Sequence, residues 1–153
     1  MTQTEFINYI LRNIDFAPTD DQRNALATFA RFLADRSPNA VMVLRGSAGT
    51  GKTTIASVMV NALRRLGQKL MLLAPTGRAA KVLSLNSAMP AYTVHRRIYR
   101  EKAYQGVDGV FNLNDNRYRN MLFVVDEASM VSNYPSGDNA FGSGSLLDDL
   151  MKY

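Results

Sequence analysis

The chain has 153 residues, 46% of them hydrophobic, and this length and composition favour a globular domain over a disordered chain. A formal net charge of +5 favours polyanionic partners, and the absence of cysteine excludes disulfide bonds and thiolate metal sites. The N-terminus lacks the features of a signal peptide and no apolar run approaches the ~20 residues that span a bilayer, so we expect a cytoplasmic protein with no membrane partner.

Two short helices are predicted at the start of the chain. Apolar residues at helical spacing predict a helix over residues 5–14, and Pro18 ends that pattern. The sequence Thr-Asp-Asp-Gln at 19–22 has the pattern of a capping box and opens a second helix. The turn at 37–39 ends the second helix.

Strands and helices alternate from residue 40 onward. The valine-rich run at 40–44 is typical of a strand buried on both faces, and a glycine-rich turn and a helix over 52–66 follow it. A second apolar strand is predicted at 69–74 and another helix at 77–85. This order of elements predicts a parallel sheet with ligands at the carboxyl ends of its strands.

The second half of the chain is more polar and contains one further buried strand. Residues 91–102 are predicted to be helical and basic, and 104–120 to be irregular with a short edge strand near the middle. The run at 121–125 predicts the third buried strand. A loop rich in Gly, Ser and Asn and a short closing helix follow, at 132–144 and 146–152.

A phosphate-binding sequence follows the first predicted strand directly. GSAGTGKT at 46–53 matches G-x-x-x-x-G-K-[ST] at every fixed position. Glycines allow consecutive backbone N–H groups to wrap phosphates, and the helix N-terminus adds partial positive charge. We predict that Lys52 reaches the β- and γ-phosphates of ATP and that the Thr53 hydroxyl ligates Mg²⁺. The predicted nucleotide contacts here are Gly46, Ser47, Ala48, Gly49, Thr50, Gly51, Lys52, Thr53 and Thr54.

Two adjacent carboxylates end the third predicted strand. Asp126 and Glu127 lie where unpaired carboxylates would be costly without a cation. We predict that Asp126 holds Mg²⁺ through its outer shell and that Glu127 orients or deprotonates the attacking water, which favours hydrolysis over transfer to another hydroxyl. An acidic helix cap is the alternative, and the upstream Lys52 loop favours the catalytic interpretation.

Three further segments give the chain a family resemblance. LAPTGRAAKVL at 73–83, TVHRRIYR at 93–100 and DEASM at 126–130 resemble the RecD-like superfamily 1 DNA helicases of bacteria. The resemblance runs from about residue 18 to residue 130. It implies an α/β P-loop NTPase fold, a RecA-like three-layer sandwich with a parallel sheet. It also implies ATP hydrolysis coupled to translocation on single-stranded DNA and duplex unwinding.

The resemblance further implies the domain organisation and the roles of single residues. Residues 1–36 would be a helical segment with a Q-motif-like start, and 37–153 a RecA-like ATPase domain truncated after the Walker B segment. Gln22 takes the place of the residue that recognises adenine, although it also fits the capping box. Ser129 matches a residue that links nucleotide state to DNA contacts. The segments matching the single-stranded DNA track contain Pro75, Thr76, Gly77, Arg78, Thr93 and His95.

The residues by themselves leave two roles open near the second of these segments. His95 suits either DNA contact or local packing, since a catalytic or metal role has no partner. The arginines at 96, 97 and 100 form either a basic strip beside DNA or a solvated helix face. A small P-loop kinase and a non-catalytic nucleic-acid-binding module with a relic P-loop are the alternative functions.

The resemblance implies a motor with two RecA-like domains and ATP between them. We therefore expect a second RecA-like domain of the same protein as a partner, and weak ATP hydrolysis by this chain alone, because no arginine of a facing domain is present. The strand that usually separates the P-loop strand from the acidic-pair strand also lies outside the sequence. We expect these two strands to pair directly, or a neighbouring molecule to fill the gap in a strand-swapped dimer.

Overall fold

The structure is a computed structural model that describes residues 2–35, 37, 39–101, 111–133 and 142–153. The chain forms two units, Met1–Gln68 and Lys69–Tyr153. The predicted division into a helical segment at 1–36 and an ATPase domain at 37–153 stays a prediction. Across the described ranges, no helix is both long and apolar enough to cross a membrane.

Three helices make up the regular structure described in the first unit: α1 (Gln3–Arg12), α2 (Asp20–Ala34) and α3 (Lys52–Arg65). Thr2 and Thr19 form complete capping boxes at the starts of α1 and α2. All three helices were predicted, with small shifts at their ends. Their apolar faces supply the buried side chains of this unit, which include Phe6, Ile10, Leu26, Phe29, Ile55, Met59 and Leu63.

The predicted buried strand at residues 40–44 is wrong. These residues have no strand assignment, and the side chains of Val41 and Val43 are 59% and 70% exposed. A strand needs a neighbouring backbone to satisfy its N–H and C=O groups, and none of the described strands pairs with this run. The apolar character of the run is real, but composition alone cannot provide the partner.

The second unit is built on a three-stranded parallel sheet. Its middle strand, β1 (Lys69–Ala74), lies between β2 (Ala91–Thr93) and β5 (Met121–Val125). Helix α4 (Gly77–Ser87) connects β1 to β2. The parallel sheet within a mixed α/β chain confirms the predicted RecA-like fold class. The prediction of β1 was correct, whereas β5 is half-buried rather than fully buried. The expected direct pairing of the acidic-pair strand with the run at 40–44 is wrong, because β5 pairs with β1.

The predicted helix over 91–102 is mostly wrong. After β2 the chain forms only a short helix, α5 (Val94–Ile98), and then turns into β3 (Tyr99–Glu101). Strand β3 pairs antiparallel with β4 (Phe111–Leu113), which confirms the short strand predicted there. Pairing with the next strand along the chain thus overrides the local helical spacing. The other predictions for 102–110 and 134–141 fall outside the described residues.

The closing helix, α6 (Leu146–Lys152), is present as predicted and is joined to β3 by a buried hydrogen-bond network. Asp149 is only 3% exposed, and the Tyr99 hydroxyl donates to its Oδ2 at 2.7 Å. The Ser143 N–H and hydroxyl donate to the same carboxylate at 2.9 and 2.8 Å. Burial alone would raise the pKa of Asp149, but these hydrogen bonds and the charge of Lys152 outweigh it and lower the pKa.

We predict that Tyr99→Phe lowers the free energy of unfolding at pH 7 by about 1–3 kcal/mol, because a buried carboxylate loses a donor. A carboxyl whose pKa is lowered on folding stabilises the protein above its unfolded pKa of about 3.9, and this contribution is lost as the pH falls through the folded value. The difference in unfolding free energy between the wild type and Tyr99→Phe should therefore become smaller as the pH is lowered.

Urea unfolding of the wild type and Tyr99→Phe at several pH values measures this effect. Tyr9→Phe, which changes another tyrosine in α1, is the matched control and should shift stability by less than about 0.5 kcal/mol. Equal stability of Tyr99→Phe and the control at pH 7 would contradict the role given to the network.

Candidate functional site

The segment at 46–53 forms a tight backbone loop that runs into α3. Gly49 and Gly51 have φ values of +76° and +79°, in the left-handed region that glycine adopts without steric cost. A Cβ on Gly46 would lie 2.9 Å from Thr50 Oγ1, and that hydroxyl donates to the Ser47 carbonyl at 2.9 Å. An added side chain at Gly46 would crowd this hydroxyl, and the close approach of the backbone there fits a phosphate cradle.

The N-terminus of α3 differs from those of the other two helices in its unit. Helices α1 and α2 each have a threonine cap and an acidic residue in the first turn. Helix α3 begins after Gly51 with no side-chain cap hydrogen bond and no acidic residue in its first turn. Its first amides and its partial positive charge are consequently free of side-chain acceptors, and they suit an anion.

The Lys52 side chain turns back over the loop. Its Nζ donates to the Ser47 carbonyl oxygen at 2.6 Å, so the ammonium lies at the loop that the motif assigns to phosphate. Thr53 and Thr54 lie in the first turn of α3 and have exposed side chains. Ala48, within the loop, is exposed as well. The predicted nucleotide contacts at 46–54 therefore all lie in the loop and the first turn of α3.

Gln22 connects α2 to this loop. Its Oε1 accepts the Thr19 N–H at 3.0 Å, which completes the capping box, and its Nε2 donates to the Thr50 carbonyl at 3.4 Å. The helix-start role considered for Gln22 is thus observed together with a loop contact that the sequence analysis did not anticipate. A Cβ on Gly51 would lie 2.6 Å from Gln22 Nε2, so a side chain at position 51 would require the end of the Gln22 side chain to move.

The acidic pair occupies the carboxyl end of β5. The Asp126 N–H donates to the Leu73 carbonyl at 3.0 Å and continues the pairing of β5 with β1. Glu127 has a φ of +51°, a strained conformation for a residue with a Cβ, and its N–H donates to Asp126 Oδ1 at 2.9 Å. Backbone strain of this kind is concentrated at functional sites. The exposed Ser129 lies in the 3₁₀ turn that follows, Ala128–Met130.

The same unit brings the acidic pair together with the segment at 75–78. A cleft of about 140 Å³ is lined by Thr76, Arg78, Ala79, Val82, Asp126 and Glu127. Thr76 caps α4 by accepting the Ala79 N–H at 3.2 Å, while Gly77 and Arg78 are exposed. Pro75, half-buried, ends the connection from β1. Ala79 and Val82 were not among the predicted site residues, although their three-residue spacing from Thr76 places them on one face of α4.

Thr93 and His95 lie at the start of α5. The Thr93 hydroxyl accepts the Arg96 N–H at 3.2 Å and so caps this short helix. The His95 ring lies 5.9 Å from the Tyr99 ring, centroid to centroid, and burial lowers the pKa of His95. The contact with the Tyr99 ring agrees with the packing role considered for His95, and a DNA contact by this residue stays a prediction.

The two residues predicted to hold magnesium, Thr53 directly and Asp126 through water, belong to different units of the chain. Within the described residues, no group of three or more His, Cys, Asp or Glu side chains is arranged to hold a metal ion. A hydroxyl and one or two carboxylates are nevertheless the oxygen donors by which Mg²⁺ is held beside a nucleotide, since most of its ligands are then phosphate and water.

We predict that Gly51→Ala destabilises the protein more than Gly49→Ala. Both changes introduce left-handed strain of about 1–2 kcal/mol, but only at position 51 would the new Cβ meet Gln22, since nothing lies within 4 Å at Gly49. Urea unfolding measures both losses. In the Gln22→Ala background, Gly51→Ala should cost no more stability than Gly49→Ala. Strictly additive effects of Gln22→Ala and Gly51→Ala would contradict a contact between the two residues.

Comparison with known proteins agrees with this geometry. The AAA domain family model matches residues 18–136. The chain is 31% identical over 121 residues to the ATP-dependent RecD2 DNA helicase of Deinococcus radiodurans, covering 78% of this chain and 16% of the relative. It is 35% identical over 78 residues to the ATP-dependent DNA helicase dda of Enterobacteria phage T4, covering 50% and 17%, respectively. An uncharacterized protein of Methanocaldococcus jannaschii is 39% identical over 127 residues, covering 75% and 10%. The chain spans no more than about a sixth of these relatives' lengths, and it belongs to the AAA domain family as a superfamily 1 helicase-like P-loop domain.

Proposed function

We propose that this chain is the ATP-binding part of an ATP-dependent DNA helicase of the RecD-like type. The P-loop that leads into an uncapped α3 supports nucleotide binding. The named helicases among its relatives support DNA as the substrate of the motor. Unwinding and translocation would be activities of the whole protein, because the relatives are far longer than this chain.

The observation that carries the helicase function is the shared cleft of the second unit. It places the carboxylates proposed for hydrolysis beside Thr76 and Arg78, the residues proposed to hold DNA. A kinase would need an acceptor site for another hydroxyl at such carboxylates, and a relic module would need no carboxylates there. A common cleft gives a direct physical route by which the state of the nucleotide alters the grip on DNA.

The first unit would bind the triphosphate through main-chain amides of residues 46–54. Lys52 would balance the charge of the β- and γ-phosphates, and Thr53 would offer its hydroxyl to Mg²⁺. The bound Mg²⁺ would neutralise charge that develops on the phosphates. Gln22 would recognise adenine with the side-chain amide that already reaches the loop.

The second unit would supply the acid–base chemistry and the DNA contacts. Asp126 would hold the cation through water, and Glu127 would orient or deprotonate the attacking water. Backbone N–H groups at the start of α4, with Arg78, would hold the phosphates of single-stranded DNA. The other residues proposed for this track are Pro75, Thr76, Gly77, Thr93 and His95, with Ser129 linking it to the nucleotide.

The context in which the chain works is also part of what we propose. A second RecA-like domain of the same protein would complete the site with an arginine, and the chain alone would hydrolyse ATP slowly. A strand-swapped dimer and a cytoplasmic location remain proposals as well.

We predict that Lys52→Ala weakens the binding of Mg²⁺–ATP by roughly 10- to 100-fold, because charge-assisted hydrogen bonds contribute about 1.5–3 kcal/mol each. Isothermal titration calorimetry measures the dissociation constant. Lys81→Ala in α4, which also removes one exposed lysine, is the control and should bind like the wild type. Binding of ATP that is indifferent to Lys52 and to magnesium would contradict the proposal.

We predict that Arg78→Ala weakens the binding of single-stranded DNA and lowers the slope of log affinity against log salt by about 0.7, the value for one phosphate contact on a single strand. Fluorescence anisotropy with a labelled oligothymidylate of about 15 nucleotides measures both quantities. Arg64→Ala, at the exposed end of α3, is the charge-matched control. Equal losses of DNA affinity in both variants would contradict a specific contact at Arg78, because they would indicate an effect of net charge alone.

A further inference from the structure

An arginine of the second unit is stacked with two tyrosines from separate segments. The Arg97 guanidinium carbon lies 5.4 Å from the ring centroid of Tyr92 and 4.8 Å from that of Tyr118. Tyr92 belongs to β2, Arg97 to α5, and Tyr118 to the connection between β4 and β5. We call these three side chains the tyrosine–arginine stack. None of them has a role in the proposed function described so far.

The two rings, and not a hydrogen-bond acceptor, contact the guanidinium group of Arg97. Arg97 Nε is buried and has no hydrogen-bond partner among the described residues. Cation–π contacts with two rings stabilise this arrangement by about 0.5–2 kcal/mol each and leave the positive charge in place. The stack is therefore a planar, aromatic and cationic surface element.

Both tyrosines remain accessible to a ligand. Tyr92 is 36% exposed and Tyr118 is 38% exposed, although both pack against Arg97. Tyr118 is itself fixed by a local turn, since its N–H donates to Asn116 Oδ1 at 2.9 Å. The exposed surface of Tyr118 thus belongs to a residue whose backbone is held in a turn.

The sequence around the stack is strongly basic. Arg117 and Arg119 flank Tyr118 and are exposed, and Arg96 and Arg100 are exposed on either side of Arg97. Interleaved aromatic and basic residues are the surface that single-stranded nucleic acid recognises, because bases stack on rings while phosphates meet the cations. An acidic peptide would be attracted to the arginines but would gain little from the exposed tyrosine surface.

We propose that the tyrosine–arginine stack is a base-stacking platform for single-stranded DNA. This proposal rests on the proposed function. The segments at 75–78 and 93–95 were proposed to contact single-stranded DNA in general, and the platform adds a contact to its bases. Tyr92 directly precedes Thr93, so the platform continues that track along the chain. Stacking on rings carries no hydrogen-bond code, and the platform would accept any base sequence.

The test compares an oligothymidylate with an abasic oligonucleotide of equal length, using fluorescence anisotropy and the full chain. Tyr118→Leu should weaken oligothymidylate binding by roughly 5- to 150-fold, the range for loss of one stacked base. Tyr118→Phe should bind like the wild type. Neither change should alter binding of the abasic strand, which keeps the phosphates and has nothing to stack.

Two controls keep the outcome specific. Tyr9→Leu in α1 removes an unrelated tyrosine and should leave binding unchanged. Arg97→Lys keeps the charge but removes the planar group, and it should reduce oligothymidylate binding more than abasic binding. Urea unfolding confirms that each variant is folded before its affinity is compared.

The results separate failure of the platform from failure of the proposed function. If the wild type binds oligothymidylate and Tyr118→Leu binds it equally well, or loses the same factor on the abasic strand, the platform is overturned while DNA binding stands. If the wild type binds neither oligonucleotide, the DNA-binding function fails together with the platform. The platform would also be overturned if unlabelled polyglutamate displaced the labelled oligothymidylate as well as unlabelled oligothymidylate does. That result would indicate that binding depends on charge alone.

Discussion

The left-handed backbone at Gly51 is the constraint on which the site of the first unit depends. It turns the loop directly into α3, so the helix starts without a side-chain cap and its amides stay open. The same glycine lets Gln22 approach the loop closely while it completes the capping box of α2. One residue without a Cβ thus permits both the open helix end and the contact that joins α2 to the loop.

The second unit depends in a similar way on the parallel pairing of β1 with β5. Because parallel strands end at the same edge of a sheet, the segment after β1 and the acidic pair after β5 meet in one cleft. The Asp126 N–H extends this pairing by one residue, and Glu127 then takes up a strained backbone. The chemistry proposed for ATP and the contacts proposed for DNA therefore share a single structural origin in this unit.

Local signals in the sequence predicted the features that local physics determines. The capping box at Thr19, the end of α3 before Gly67 and the P-loop all depend on neighbouring residues, and the structure contains them. The run at 40–44 was misassigned because a strand requires a distant partner. The Tyr99–Asp149 hydrogen bond and the packing of Arg97 against Tyr118 likewise join segments well separated in sequence. No spacing rule along the chain could have predicted them.

The central claim is that main-chain amides of residues 46–54 bind the phosphates of ATP. Backbone amide NMR spectra recorded during titration with magnesium and ATP, and separately with magnesium and adenosine, test it most directly. The account predicts that ATP shifts the amide signals of this segment most and that adenosine, which has no phosphates, hardly moves them. Equal shifts with both ligands, or ATP-dependent shifts that avoid this segment, would contradict it.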